Sequence, residues 1–152
     1  MKMKGLYNYI CWFMAFLLMV SCKDDSIPVK AQMFIDQYFP QSDVVLVEVE
    51  GDTDEKEYNV WLNDGTKIEF DMQGIWKRVG RNKTGVPSTL IPEPIEKYVH
   101  THYPNDVVTK FSKKDYGYKL ELSDDMDLRF NHQFQFMEVV DESLSYGVIP
   151  VA

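Results

Sequence analysis

Three histidines, two cysteines and several runs of carboxylates are the residues of this sequence that could do chemistry. His100 and His102 are two positions apart in a predicted helix, so their side chains point in different directions, whereas a shared metal favours a spacing of four. His132 stands alone in a predicted turn. We therefore predict neither a histidine-based metal site nor a catalytic histidine.

Acidic side chains are concentrated in two predicted turns, at residues 52–57 and 124–127. A calcium-binding EF-hand loop requires a central glycine and a distal glutamate at fixed spacing, and neither turn has them there. We interpret both runs as solvated hairpin tips, with a weak calcium site between turns as the open alternative. A carboxylate pair can also act as general acid and base, but no feature of the sequence selects two of them.

The sequence contains none of the common enzyme motifs: no nucleophile elbow, zinc-protease motif, phosphate-binding loop or dinucleotide fingerprint. Cys11 and Cys22 both lie in the first 22 residues, so the rest of the chain has no thiol for a disulfide, a metal or a nucleophile. The net charge of −8 repels phosphate backbones. We predict a protein that is not an enzyme, with no catalytic residues, no cofactor, no metal and no nucleic-acid partner. The oligomeric state stays open.

Residues 1–21 are typical of a secretory signal peptide, because Lys2 and Lys4 precede an apolar run over residues 6–20. That run is shorter than the roughly 20 apolar residues that a membrane span needs. It ends in Leu-Met-Val-Ser-Cys, which resembles the bacterial lipobox and predicts lipidation of Cys22. Loss of the segment would change the net charge from −8 to −10, and the acyl chains would attach the protein to a membrane. The alternatives are an ordinary signal peptide and a single anchor helix.

Residues 22–26 are predicted to form the lipidated tether. Lys23, Asp24 and Asp25 resemble the acidic export signal that directs Bacteroidetes lipoproteins to the outer face of the outer membrane. The alternatives are a solvated linker and a location on the periplasmic face. Ser26 stands in an Asp-Ser-Ile sequence that resembles the O-glycosylation site of the same phylum, but it is equally well explained as the N-cap of the next helix.

The chain from residue 27 onwards is similar to itself. Ile27-Pro28 aligns with Ile91-Pro92 at an offset of 64, and Tyr58 aligns with Tyr118 at an offset of 60. The change of offset falls in a predicted turn, where differences in length are tolerated. After the signal peptide and the tether, the predicted units are repeat 1 at 27–80, a linker at 81–90, repeat 2 at 91–140 and a C-terminal tail at 141–152.

Each predicted repeat begins with a short amphipathic helix, which ends before Pro40 in the first and Pro104 in the second. Trp76 and Phe136 occupy matching positions and are predicted to be core residues. The predicted fold class is α+β, in the order α-β4-α-β4, with both helices on one face of an antiparallel sheet. The predicted strands, separated by turn residues, are 44–50, 56–63, 66–71 and 74–79, then 107–113, 116–123, 126–131 and 133–140.

The other face of the predicted sheet is open and holds the candidate binding site. Tyr58 and Val60 belong to the apolar face of their strand, which places Asn59 and Trp61 on the opposite face. Because Trp61 aligns with Glu121, the helix-side core does not require it. An exposed aromatic on an open sheet is typical of a binding hot spot, and packing against a neighbouring strand is the alternative. We predict partner binding at Trp61 and Asn59.

Several of these segments closely resemble the PepSY-like, beta-lactamase-inhibitor-like family of Bacteroidetes: Tyr38-Phe39-Pro40, the run 58–71 and Gly74-Ile75-Trp76-Lys77. The resemblance covers nearly all of residues 27–140. Repeat 2 departs from it in its last turn, where Asn131-His132-Gln133-Phe134 replaces the usual Asp-x-x-Gly.

The resemblance implies a fold like that of the beta-lactamase inhibitory protein, whose concave sheet face binds an enzyme. It does not imply that this chain inhibits a lactamase, because a fold does not fix a function. We expect a non-catalytic cell-envelope lipoprotein that binds a protein, a peptide or a glycan. The alternative is an inhibitor or chaperone of a secreted peptidase or another enzyme.

Overall fold

The structure is a computed structural model that describes residues 27–52, 56–81 and 84–141. The predictions of lipidation, export and glycosylation at residues 22–26 lie outside these ranges. Two α-helices and eight β-strands are present in the described part, with a 3₁₀ turn at Ser88–Leu90 between the two halves. Their bounds are α1 Val29–Tyr38, β1 Val44–Glu50, β2 Glu57–Leu62, β3 Lys67–Asp71, β4 Trp76–Gly80, α2 Glu93–His102, β5 Val108–Lys114, β6 Gly117–Leu122, β7 Met126–Asn131 and β8 Phe136–Asp141.

The eight strands form one sheet in chain order, and every neighbouring pair is antiparallel. Strands β4 and β5 join the two halves through the pairs Arg78–Ser112, Val79–Phe111 and Gly80–Lys110. Strands β1 and β8 are therefore the two edges of the sheet. An α+β fold with two helices and one eight-stranded antiparallel sheet, as predicted, is confirmed.

Both helices pack on the same face of the sheet. Helix α1 begins after Pro28, two residues later than the predicted start, and buries Ala31 and Ile35. Helix α2 buries Ile95 and Val99. Burying an apolar side chain of this size stabilises the fold by about 1.5–3 kcal/mol. The largest fully buried side chains beneath the helices are Phe70, Phe111 and Phe130, with Ile68, Leu120, Leu122 and Leu128.

The prediction that Trp76 and Phe136 are core residues is correct in part for Trp76, which is half-buried against the core, and wrong for Phe136. Trp76 lies between Phe34 and Phe111, at ring-centroid distances of 5.8 and 5.3 Å. The ring of Phe136 stacks on that of Tyr98 at a centroid distance of 4.7 Å, but Phe136 is still 37% exposed. The difference arises because β4 is covered by β5, whereas β8 is an edge strand.

The last turn of the second half has the same construction as that of the first, although its sequence departs from Asp-x-x-Gly. Asp71 Oδ1 accepts hydrogen bonds from the backbone N–H groups two and four residues later, at 2.9 and 2.8 Å. Asn131 Oδ1 accepts the same two bonds, both at 2.9 Å. Gly74 in the first turn has φ +76°. The corresponding residue of the second turn is Phe134, with φ +61°, and its ring centroid lies 5.4 Å from that of Tyr118.

Candidate binding face

The sheet face opposite the helices carries one row of side chains that crosses all eight strands. Successive residues of a strand point to opposite faces, so directly paired residues line up across the sheet on one face. From β1 to β8 the row is Glu48, Asn59, Glu69, Arg78, Ser112, Lys119, Arg129 and Glu138.

From Glu69 to Glu138, the charged members of this row are bound to one another or to neighbours on the same face. The guanidinium nitrogen of Arg78 lies 3.1 Å from a carboxylate oxygen of Glu69, and that of Arg129 lies 2.7 Å from one of Glu138. The glutamate is on the earlier strand in the first pair and on the later strand in the second. Lys119 contacts the carboxylate of Asp127 at 2.6 Å. The two arginine–glutamate pairs are partly exposed, and pairs of this kind are worth about 0–1 kcal/mol each, so they organise the face more than they stabilise the fold.

An apolar patch interrupts this ionic face at its β1 end. Leu46 lies directly across the ladder from Trp61, and Lys67 faces Trp61 on the next strand, with its Nζ 4.9 Å from the centre of the Trp61 ring. Leu46 is 44% exposed and Trp61 is half-buried. We call these three residues the Trp61 patch. Interface hot spots are enriched in tryptophan, and a cation within about 6 Å of the centre of an aromatic ring is attracted to the face of that ring.

The outward position of Leu46 was not identified from the sequence, and a bulge interrupts β1 just before this residue. Val44 pairs with Leu62 and Leu46 pairs with Trp61, so Val45 has no partner opposite it. The five pairs from Leu46–Trp61 to Glu50–Glu57 keep one register, so the bulge displaces only Val44 and Val45 and leaves Leu46 on the same face as Glu48. The run of Val44, Val45, Leu46 and Val47 is apolar throughout and cannot reveal which residue faces outward.

Asn59, the second predicted binding residue, is only 2% exposed. It lies between its cross-strand neighbours Glu48 and Glu69. A side chain covered in this way cannot contact a partner without rearrangement of its neighbours. We therefore revise its expected role: Asn59 fills the face beside Trp61 and does not contact a ligand directly.

Asp64 connects three loops at the edge of the face. It accepts hydrogen bonds from the Ser42 hydroxyl at 2.8 Å and from the Thr66 backbone N–H at 2.9 Å, and it pairs with Arg81 at 3.2 Å. Burial by itself would raise the pKa of the Asp64 carboxyl, but these bonds and the Arg81 guanidinium hold that pKa below its ordinary value of 3.8. Ionised Asp64 thus fixes the β2–β3 turn to the segments before β1 and after β4.

The three histidines are not brought together. His102 stacks on Tyr98 at 4.1 Å, and His100 is exposed on the same helix. His132 lies with its Nε2 2.8 Å from the carbonyl oxygen of Asp115. In residues 27–52, 56–81 and 84–141, no three His, Cys, Asp or Glu side chains are grouped as metal ligands. None of the helices in that part of the chain is long and apolar enough to span a membrane.

The chain is similar to one protein family and to several solved structures. The model of the family described as "Putative beta-lactamase-inhibitor-like, PepSY-like" matches residues 56–138. A protein of Bacteroides thetaiotaomicron described as "a putative calcium-regulated periplasmic protein" is 37% identical, with a TM-score of 0.71 over 76% of this chain and 91% of that one. No curated protein matches the chain.

Two structures from Bacteroides vulgatus are similar to the same extent. One is 34% identical, with a TM-score of 0.68 over 75% of this chain and 90% of that one. The other, described as being of unknown function, is 31% identical, with a TM-score of 0.72 over 76% of this chain and 93% of that one. Both carry the description "putative periplasmic protein". The similar chains are therefore proteins assigned to the bacterial cell envelope.

Proposed function

We propose that this chain, which belongs to the PepSY-like, beta-lactamase-inhibitor-like family, is a non-catalytic cell-envelope protein. In this proposal it binds a protein or peptide partner. The Trp61 patch on the open sheet face is the proposed contact. The observation that carries this proposal is the direct pairing of exposed Leu46 with Trp61 on a face whose other residues are mostly charged.

The electrostatics of the face favour binding over catalysis. General acid–base chemistry needs a group that can exchange a proton with a substrate near neutral pH. On this face Glu69 is occupied by Arg78, Glu138 by Arg129 and Asp127 by Lys119. Ion pairs of this kind orient the carboxylates toward their cationic partners, which suits recognition of a partner more than proton transfer.

Attachment to the outer membrane through a lipid on Cys22 belongs to the same proposal. Its support is the lipobox-like sequence at 18–22 and the acidic segment after it. The periplasmic descriptions of the similar structures agree with an envelope location without specifying a leaflet.

The internal duplication is likewise proposed, at 27–80 and 91–140. Its support is that each half has a helix followed by four strands. The first strand of each half also carries its bulge at a matching place, between Val44 and Leu46 and between Val108 and Lys110.

Capture of a partner from solubilised cell envelopes tests the proposed function. Trp61→Ala should reduce the captured partner at least tenfold, because it removes the largest apolar surface of the patch. Ile75→Ala is the matched control, since Ile75 is an exposed apolar residue, 45% accessible, in the β3–β4 turn. Equal capture by wild type and Trp61→Ala would overturn the assignment of the site.

A second candidate is inhibition of, or chaperone action on, a secreted peptidase or another enzyme. The family description, which includes beta-lactamase-inhibitor-like, favours it. The test is to add the full-length protein to envelope peptidases and to a beta-lactamase. Dose-dependent inhibition that is lost in Trp61→Ala would support this candidate, and unchanged activity in every assay would exclude it for those enzymes.

Calcium regulation is a further candidate, and only the description of the B. thetaiotaomicron relative favours it. Calorimetric titration with calcium chloride, with magnesium chloride as the control, tests it directly. A calcium-specific heat of binding together with a raised Tm would support regulation, and identical responses to the two ions would argue against it.

A further inference from the structure

Strand β1 is an edge strand of the sheet, and its surface is unusually apolar. Among the strands that the structure describes, it pairs with β2 only, so its outer N–H and C=O groups are available to another strand. Val45 is 61% exposed, Leu46 44% and Val49 49%. Soluble proteins usually protect such an edge, so one that is long and apolar suggests an interaction surface.

A groove follows this edge on the helix side of the sheet. It lies between α1 and β1 and has a volume of about 620 Å³. Met33, which is 64% exposed, and Val29, which is 76% exposed, form its helix wall, and Val44 and Val47 form its strand wall. Its polar rim includes Asp36, which accepts a hydrogen bond from Gln32 at 2.7 Å.

The corresponding strand of the second half, β5, shows how this kind of edge is covered within the same molecule. Strand β4 lies along β5 in antiparallel orientation. The segment before α2 fills the helix side: Val86 is only 8% exposed, and its N–H donates to the Val108 carbonyl at 2.8 Å. Strand β1 has no such cover in the described residues.

The β4–β5 register also shows which residues such a cover would meet. Arg78 pairs with Ser112, Val79 with Phe111 and Gly80 with Lys110. Because β1 and β5 have their bulges at matching places, the positions on β1 that correspond to Ser112, Phe111 and Lys110 are Glu48, Val47 and Leu46. A strand with the pattern of β4 would therefore place an arginine opposite Glu48, a valine opposite Val47 and a glycine beside Leu46.

The charge around the edge favours a cationic occupant. Glu48 and Glu50 lie on β1 itself, and Asp36 and Asp43 border the groove and its continuation. The chain's own segment 23–26 carries two aspartates against one lysine, so its net negative charge is poorly matched to this rim. A second copy joined through β8, in the register of the β4–β5 pair, would place Glu138 against Glu48, and each copy carries a net charge of −8.

We infer that β1 and its groove bind an extended cationic segment of a partner, which adds to the sheet as a ninth strand. Valine-sized side chains of that segment enter the groove beside Met33 and Val47, and its arginine or lysine side chains face Glu48. Strand addition of this kind draws affinity from backbone hydrogen bonds and specificity from alternate side chains. The inference rests on the proposed function, since it specifies the part of the partner that lies next to the Trp61 patch.

The probe is a capped peptide with the sequence of residues 75–81, Ile-Trp-Lys-Arg-Val-Gly-Arg, which contains the strand that covers β5. Added to the ¹⁵N-labelled full-length protein in detergent, it should shift the amide resonances of β1 and α1 and slow hydrogen exchange in β1. A peptide with its three basic residues changed to glutamate, and one with proline in place of the valine, should bind at least tenfold more weakly. Equal binding of all three peptides would show non-specific adhesion and overturn the inference.

Two methionine variants locate the site. Met33→Lys places a positive charge in the groove and should weaken peptide binding at least tenfold, whereas Met137→Lys, a control on the opposite edge strand at 48% exposure, should leave it within twofold. Unchanged binding by Met33→Lys, or self-association through β1 in sedimentation experiments, would refute the inference.

The capture experiment separates this inference from the proposed function. If Trp61→Ala loses the envelope partner and Met33→Lys keeps it, the inference fails and the proposed function stands. If capture is insensitive to Trp61→Ala, the proposed contact at the Trp61 patch fails instead.

Discussion

Leu46 lies directly opposite Trp61 across the β1–β2 ladder, on the sheet face that the helices leave open. Leu46 keeps the register of the pairs that follow it in β1, and the bulge at Val45 lies beyond it, at the start of the strand. Leu46 and Trp61, with Lys67 beyond the ring, form an apolar patch at the end of a row of charged residues. The proposed binding function depends on this relationship.

Leu46→Asp should weaken partner binding at least as much as Trp61→Ala does, because it places a carboxylate beside the indole ring of Trp61. Leu46 is 44% exposed on an edge strand, so its loss should change the Tm by no more than a few degrees. Leu46→Met, which keeps an apolar side chain of similar volume, is the matched control and should bind normally. Normal binding by Leu46→Asp would remove Leu46 from the site.

Gly74→Ala should destabilise the protein by roughly 2 kcal/mol more than Gly65→Ala does. Both glycines have a positive φ, +76° and +84°. A Cβ at Gly74 would lie 2.8 Å from the Ala31 backbone nitrogen and from Pro28 Cβ, whereas one at Gly65 would meet nothing within 4 Å. Urea unfolding of both variants measures the difference, and equal losses would show that the turn does not need its close contact with α1.

The Asp64 network should make the stability depend on acid pH. The carboxyl has a folded-state pKa below its ordinary value of 3.8, so protons bind more readily to the unfolded chain. The resulting stability is complete above that value and is lost as the pH falls through the lower folded pKa. Asp64→Asn should cost about 1–2 kcal/mol at pH 7, and the difference from wild type should shrink below pH 4. A difference that is constant between pH 7 and pH 3 would contradict this account.

Cys22→Ala should release the protein from the membrane fraction, since the acyl chains provide the attachment. Cys11→Ala is the matched control, because Cys11 lies in the predicted signal peptide and should not affect anchoring. Fractionation of cells and immunoblotting measure both. Membrane association that persists in Cys22→Ala would contradict the lipoprotein proposal.

The strands were predictable where polar turn residues bound them on both sides. The predicted bounds of β1, 44–50, and of β7, 126–131, match the structure. Strand β8 begins at Phe136 instead of residue 133, because Asn131 repeats the hydrogen bonding of Asp71 and extends the turn. Such side-chain capping is not visible in an Asn-His-Gln-Phe sequence.

The site was predictable only in part, because cross-strand neighbours decide exposure. The placement of Trp61 on the face opposite the helices followed from alternation within β2. The burial of Asn59 did not, since it results from Glu48 and Glu69 on the adjacent strands. Alternation assigns a residue to a face, but the strand register determines what covers it.

Site-specific photocrosslinking in intact cells tests the central claim most directly. A photoreactive amino acid in place of Leu46 lies beside Trp61, and the same substitution at Ile75 is the control on the β3–β4 turn. The account predicts a discrete crosslinked species from position 46, absent from position 75 and absent when Trp61→Ala is combined with the Leu46 probe. No crosslink from position 46, or the same crosslink from both positions, would contradict binding at the Trp61 patch.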